Sequence, residues 1–105
     1  MKIKTSELEG ELLNQAVAHC VEQSKPFPVF FDGEPMSKGD YITDWAQGGP
    51  IIEREKIAID WDHDCWNAST DSHPAYYSAE TPLVAAMRCY VASKLGDEVE
   101  LTEEV

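Results

Sequence analysis

The sequence predicts a small α+β domain of two or three layers, in which an N-terminal and a C-terminal helix pack on a short antiparallel β-meander. Apolar residues recur at helical spacing near both ends of the chain. Between these two segments, short stretches alternate apolar and polar residues, as half-buried strands do. None of these elements can bury its apolar face alone, so we expect one domain over residues 1–96. Residues 97–105 form an acidic tail.

The first helix is expected over about residues 7–23. Ser6 and Glu9 fit a capping box, in which each side chain satisfies a backbone amide near the other. The apolar stripe of this helix consists of Leu8, Leu12, Leu13, Ala16, Val17 and Cys20. Prolines then stop the helix, and a short strand is expected over residues 29–31, closed by the Asp32-Gly33 turn. Residues 33–43 have the composition of a loop.

A tryptophan, two glycines and a proline lie close together in the middle of the chain. Asp44 is expected to cap a short turn that carries Trp45. Gly48 and Gly49 allow the backbone a positive φ, and Pro50 fixes φ at about −65°, which suits the first residue of a helix. The pattern predicts a rigid turn followed by one or two helical turns.

The meander is predicted from the residues that follow. Its first strand is marked by alternating apolar side chains, namely Ile57, Ile59 and Trp61. Residues 62–64 are the expected hairpin bend, and residues 65–68 begin the return strand. The polar stretch 67–74 is predicted to be a mobile loop, and residues 75–77 a further short strand.

The last helix has both of its ends marked in the sequence. Thr81 is a suitable N-cap, Pro82 suits the first helical position, and Gly96 suits the position after the last turn. One broad apolar face is expected from Leu83, Val84, Met87, Tyr90, Val91 and Leu95. Beyond it, Val99 and Leu101 alternate with acids, which indicates an edge strand in the tail.

The chain is strongly acidic, with 20 acidic and 8 basic residues and a net charge of −12. Direct binding to nucleic acid is disfavoured, because that affinity comes from clustered lysine and arginine. Acidity of this size favours solubility, and it also suits a basic partner surface.

The compartment is indicated by the cysteines and the N-terminus. Cys20, Cys65 and Cys89 have no paired spacing, and Cys20 and Cys89 fall on apolar helical faces as small core residues. The N-terminal residues lack the apolar region of a signal peptide, and no apolar run approaches a membrane span. We expect a reducing cytoplasm and free thiols.

A metal site is considered at His63, Cys65 and His73, which have ligand-type side chains. Zinc sites use paired close spacings that this segment lacks, so a solvated polar turn is the favoured interpretation. We expect no cofactor and identify no catalytic residue.

Two further groups of residues are candidates for binding. Arg54 and Arg88 either pair with carboxylates or form an anion site with the amides of Gly48 and Gly49. Three tryptophans are an unusually large number for so short a chain, namely Trp45, Trp61 and Trp66. Any of them that remain exposed would be suitable for contact with a binding partner.

Four segments resemble the NinX-type proteins of lambdoid phages and prophages: residues 1–8, 43–55, 66–68 and 81–97. The second and fourth are the most specific, and the resemblance runs over nearly the whole chain. It implies a phage or prophage accessory protein that acts in the bacterial cytoplasm. It transfers no catalytic residue.

The leading hypothesis is a non-enzymatic protein that binds an unidentified host or phage macromolecule. Its contact surface is expected to involve Trp45, Gly48, Gly49, Pro50, Arg54, Trp66 and Arg88. The alternative is a small-ligand or nucleotide-binding protein that uses the Gly-Gly-Pro turn and both arginines. A homodimer is left open, since a small domain gains buried area by pairing.

Overall fold

The computed structural model describes residues 2–21, 30–31, 34–35, 40–71 and 73–100, and it confirms the α+β class. The helices are α1 (Gly10–Val21), α2 (Trp45–Glu55) and α3 (Pro82–Leu95). The strands are β1 (Lys2–Lys4), β2 (Phe30–Phe31), β3 (Glu34–Pro35), β4 (Ala58–Asp62), β5 (Cys65–Thr70), β6 (His73–Ala79) and β7 (Glu98–Glu100). All strand pairs are antiparallel, in the sheets β4-β5-β6, β1-β7 and β2-β3.

Helix α3 is the centre of the domain. The three-stranded sheet packs on it, and α1 and α2 pack on it as well. Its buried residues are Leu83, Ala85, Ala86, Met87, Cys89, Tyr90, Val91 and Ala92. All six residues of the predicted apolar face pack in or against the core, but the face is wider than predicted, because neighbours on several sides also bury Ala85, Ala86, Cys89 and Ala92. The N-terminal helix was expected to pack on the meander. Instead, α1 packs mainly on α3.

Both ends of α3 are as predicted. The Thr81 hydroxyl accepts a hydrogen bond from the Val84 amide at 3.2 Å, and Pro82 occupies the first turn. Gly96 ends the helix with a φ of 92°, a value that L side chains rarely adopt. These signals are local, so the sequence alone reveals them.

Helix α1 begins later than predicted, at Gly10, and the Ser6–Glu9 capping box is absent from the described contacts. Thr5–Glu7 form a short 3-10 turn instead, and Leu8 after it is extended. Thr5 explains the difference: its hydroxyl donates to the Gly96 carbonyl at 2.6 Å, and its amide to the Asp97 carbonyl at 2.7 Å. These long-range bonds hold the N-terminal segment against the end of α3. The expected end of α1 at residue 23 lies outside the described residues.

Helix α2 corrects the interpretation of the Gly-Gly-Pro segment. A single helix runs from Trp45 to Glu55, so Gly48 and Gly49 are helical and Pro50 lies inside the helix rather than at its start. Asp44 is the N-cap as predicted, and its carboxylate accepts from the Ala46 amide at 2.9 Å.

The glycine at position 48 is explained by packing rather than by backbone freedom. A Cβ atom there would lie 2.5 Å from the Tyr41 carbonyl oxygen and 2.6 Å from Leu83 Cδ1. Gly48 thus lets the first turn of α2 approach α3 closely. Pro50 cannot donate the helical hydrogen bond to the carbonyl four residues earlier, and the surrounding packing must offset that loss.

The sheet β4-β5-β6 is a meander with one face on α3. Cross-strand partners Ile59, Ala68 and Tyr77 lie on that face, and partners Asp60, Asn67 and Ser78 lie on the opposite face. The predicted bend at 62–64 is confirmed: His63 and Asp64 form the turn, and His63 has a φ of 58°.

The predicted loop over residues 67–74 is wrong. Strand β5 continues to Thr70 and β6 begins at His73, so only two residues connect them. Polar residues in these strands reflect the solvent-facing side of an antiparallel sheet rather than a loop.

The ends of the described chain meet in the β1–β7 pair. Ile3 pairs with Val99, and Val99 is buried. The acidic tail therefore begins with a strand, whereas Leu101 lies outside the described residues. Strand β2 agrees with the expectation for residues 29–31, and β3 lies within the predicted loop at 33–43. The Asp32-Gly33 turn is outside the described residues. Among the helices described, none is long and apolar enough to cross a membrane.

Candidate interaction surface

Trp45 lies at the N-terminal end of α3. Helices α2 and α3 run side by side in the same direction, because Gly48 touches Leu83 near the start of both helices. Near their ends, Arg54 donates to the Tyr90 hydroxyl at 3.3 Å and Glu55 pairs with Lys94 at 3.4 Å. Trp45, the first residue of α2, must therefore lie beside the beginning of α3, and 52% of it is exposed.

Trp61 and Trp66 lie at the same end. They are direct cross-strand partners beside the β4–β5 turn, with ring centroids 5.2 Å apart and planes tilted by 55°. Trp66 also pairs with Ala79, which precedes the Thr81 cap of α3. Trp66 packs against the core, whereas 57% of Trp61 is exposed. We call Trp45, Trp61 and Trp66 the tryptophan surface.

Carboxylates lie at the same end of the domain as these indole rings, although Asp60 and Asp62 are on the opposite face of the sheet from Trp61. Asp60, Asp62 and Asp64 are exposed on β4 and its turn. Asp44, next to Trp45, accepts hydrogen bonds from the Gln47 side chain at 3.0 Å and from the Ala46 amide, and these bonds lower the pKa of its carboxyl. This end of the domain combines exposed aromatic area with negative charge.

Arg88 has a structural position. Its Nε donates to the Leu8 carbonyl at 2.7 Å and its Nη1 to the Ser78 carbonyl at 2.7 Å. Partial burial lowers the pKa of the guanidinium, and the charge of Glu9 opposes that shift. Arg88 therefore ties α3 to the chain before α1 and to the edge of β6.

Arg54 belongs to a second cluster at the other end of α2. Its Nε lies 3.1 Å from Glu55, and its guanidinium and the Lys94 ammonium each lie 5.9 Å from the centroid of the Tyr90 ring. Partial burial disfavours the charged Glu55 carboxylate, but the Arg54 hydrogen bond and Lys94 outweigh it and lower the carboxyl pKa. This cluster fastens the C-terminal ends of α2 and α3.

The structure does not bring the two arginines and the glycines to one place. Arg88 and Tyr90 are two residues apart on α3, so their side chains leave the helix about 200° apart. Arg54, which contacts Tyr90, is therefore on the opposite side from Arg88. The Gly48 amide is already bonded to the Asp44 carbonyl at 2.9 Å, and Gly49 and Pro50 are helical.

The metal candidates are also separated. His63 and Cys65 lie at the start of β5, whereas His73 pairs with Thr70 at its far end. Thr70 lies five positions along the strand from Cys65, a distance of roughly 16 Å. Within the residues that the structure describes, no group of three His, Cys, Asp or Glu side chains could hold a metal ion.

A separate cleft of about 930 Å³ opens between β6 and the β1–β7 pair. Lys4, Tyr76, Tyr77 and Asp97 are among its lining residues. The Tyr77 hydroxyl donates to Asp97 at 2.9 Å, and burial together with this carboxylate raises the pKa of Tyr77 to about 12. The cleft wall is thus fixed by an internal hydrogen bond.

One feature that the sequence did not reveal is the open edge of β4. In the described part of the chain, no strand pairs with its outer side. The alternation of Ile57, Ile59 and Trp61 predicts a strand but carries no information on whether that strand is central or at an edge.

Comparison with known proteins gives one family. The family model described as "Bacteriophage P22, NinX" matches residues 4–94, which is most of the chain. The match includes α1, α2, the whole three-stranded sheet and nearly all of α3. The comparison with curated proteins finds no match.

Proposed function

Because the chain belongs to the NinX family of bacteriophage proteins, we propose that it is a non-enzymatic accessory protein that binds a host or phage macromolecule. The observation that carries this proposal is the tryptophan surface. Trp45 and Trp61 each leave more than half of their area exposed at one end of the domain. Large exposed aromatic area is typical of interaction sites, because burying an indole ring against a partner is strongly favourable.

The charge around the surface supports a basic partner. Asp60, Asp62 and Asp64 lie on the same hairpin as Trp61, and the whole chain carries a charge of −12. Complementary charge speeds association and suppresses wrong partners. We place this activity in the bacterial cytoplasm, which is supported by the three free cysteines.

The small-ligand alternative loses its basis. It required the Gly48 and Gly49 amides and both arginines in one site, and these groups are separated and engaged in structural contacts. We therefore propose macromolecular binding alone.

Affinity capture from phage-infected cells tests the proposal. The tagged wild-type chain is compared with the double variant Trp45→Ala, Trp61→Ala and with Tyr76→Ala, which removes an exposed aromatic ring from β6. We expect a partner that wild type and Tyr76→Ala both retain and that the double variant loses. A partner retained equally by all three would overturn the tryptophan surface as the binding site.

A further inference from the structure

The two edges of the three-stranded sheet differ. Among the described residues, β4 and β6 each have one open side. Open edges present unpaired backbone groups, and proteins usually protect them with proline, lysine, bulges or covering side chains. Edge β6 is protected: Pro74 has no amide to donate, and Arg88 donates to the Ser78 carbonyl.

Among the residues that the structure describes, edge β4 has no proline, lysine or bulge and no side-chain hydrogen bond like that of Arg88 on β6. Its five residues, Ala58–Asp62, include no proline or lysine, and its register with β5 is regular over all of them. Four of the five are exposed. It is therefore a regular strand that is open to pairing.

The register identifies the backbone groups that face outward. Residues that flank a two-residue turn form a hydrogen-bonded pair, here Asp62 with Cys65, and the pairs then alternate along the ladder. Asp60 and Asn67 are the next hydrogen-bonded pair. The amides and carbonyls of Ile59 and Trp61 consequently point to the open side.

The side chains along this edge define what an added strand would meet. On the face toward α3 it would lie beside Ile59 and the exposed Trp61 ring. On the outer face it would lie beside the carboxylates of Asp60 and Asp62. A second copy of β4 would bring like charges together, which is destabilising across strands.

We propose that β4 accepts an extended segment of the partner, in which basic and apolar residues alternate, as a fourth strand. This inference rests on the proposed function and names how the partner binds. The backbone of Ile59 and Trp61 supplies the hydrogen bonds. Asp60 and Asp62 select basic side chains on one face, and Trp61 contacts apolar side chains on the other.

A short synthetic peptide that alternates lysine and valine tests the proposal with the intact chain. We expect it to bind, to change the tryptophan fluorescence, and to slow hydrogen exchange of the Ile59 and Trp61 amides in NMR spectra. The same peptide with N-methyl groups on the residues that pair with β4 should not bind, because its backbone cannot donate. An alternating glutamate–valine peptide should not bind either.

Charge variants provide a second measurement. We expect Asp60→Asn with Asp62→Asn to weaken lysine–valine peptide binding by about fivefold. The matched control Glu11→Asn with Asp71→Asn removes the same charge from exposed positions on α1 and the β5–β6 turn. It should bind as wild type does.

Three results would overturn strand addition: no peptide binding, equal binding of the N-methylated peptide, or slowed exchange at sites away from β4. If one of these results is found and the tryptophan double variant still loses the captured partner, strand addition is wrong but the proposed function is retained. If the double variant retains the captured partner as wild type does, the proposed function itself is wrong.

Discussion

Gly48 lies where the Tyr41 carbonyl and the Leu83 side chain leave no room for a methyl group. Gly49, one residue later, lies in an open position: a Cβ there would meet Trp45 Cε3 at 3.9 Å, an ordinary contact. Both glycines are helical, so neither is required by a positive φ. Adjacent glycines thus have different physical roles.

The substitutions Gly48→Ala and Gly49→Ala separate these roles. We expect Gly48→Ala to lower the free energy of unfolding by about 1–3 kcal/mol, because α2 must move away from α3. Gly49→Ala should raise it by up to about 1 kcal/mol, since alanine is the better helix former. Urea unfolding monitored by circular dichroism measures both values. Equal effects of the two substitutions would contradict the close approach at Gly48.

Because two buried thiols have raised pKa values, we expect the free energy of unfolding to depend on pH in the alkaline range. Burial raises the pKa of Cys20 to about 12 and that of Cys89 to about 11, from 9.0. In the unfolded chain these thiols ionise first, so above pH 9 the folded state holds more protons. The contribution of these thiols to the free energy of unfolding is fully present below pH 9. It is lost as the pH rises through their pKa values in the folded state.

We therefore expect the free energy of unfolding to fall above pH 9, by at most about 1.4 kcal/mol per pH unit for each thiol. The variant Cys20→Ala, Cys89→Ala should be less stable at neutral pH, and its stability should decline less steeply above pH 9. Urea unfolding between pH 8 and 11 in the presence of a reductant gives both slopes. Identical slopes would show that these thiols are not protected by the core.

At the scale of elements, α3 organises the fold and the two arginines join other elements to it. Arg88 satisfies two carbonyls, those of Leu8 and Ser78, from a half-buried position. Arg54 makes its contacts to Glu55 and Tyr90 with 56% of its side chain exposed. Solvent screens the second set of contacts far more than the first.

The variants Arg88→Ala and Arg54→Ala should differ accordingly. We expect Arg88→Ala to cost about 2–4 kcal/mol, because it removes packing and leaves two carbonyls without their donor. Arg54→Ala should cost less than about 1 kcal/mol. Thermal unfolding followed by calorimetry compares the two. A larger loss for Arg54→Ala would reverse this assignment of structural roles.

The elements that could be predicted from sequence are those with local signals. The Asp44 and Thr81 caps, Pro82 and Gly96 each depend on bonds or dihedrals within one turn. The late start of α1 could not be predicted, since Thr5 is held by Gly96 and Asp97 at the other end of the chain. The helix through Pro50 could not be predicted either, because packing against α3 overrides the local preference of Gly-Gly-Pro.

At the scale of the whole molecule, the two ends of α2 and α3 have different character. The tryptophan surface and the exposed aspartates of the β4–β5 hairpin lie at the N-terminal ends. Arg54 and Lys94 lie at the C-terminal ends, where they pair with Glu55 and contact Tyr90. The sequence indicated the tryptophans and the acidity separately. Their placement at one end follows from the parallel course of α2 and α3 and from sheet register, which only the fold supplies.

Hydrogen exchange of the full chain, free and bound to the captured partner, tests the central claim most directly. The claim predicts slower exchange on binding at Ile59 and Trp61 and in the first turn of α2, with little change around Arg54, Tyr90 and Lys94. Slower exchange only around Arg54, Tyr90 and Lys94, with exchange at the β4 edge unchanged, would contradict the claim.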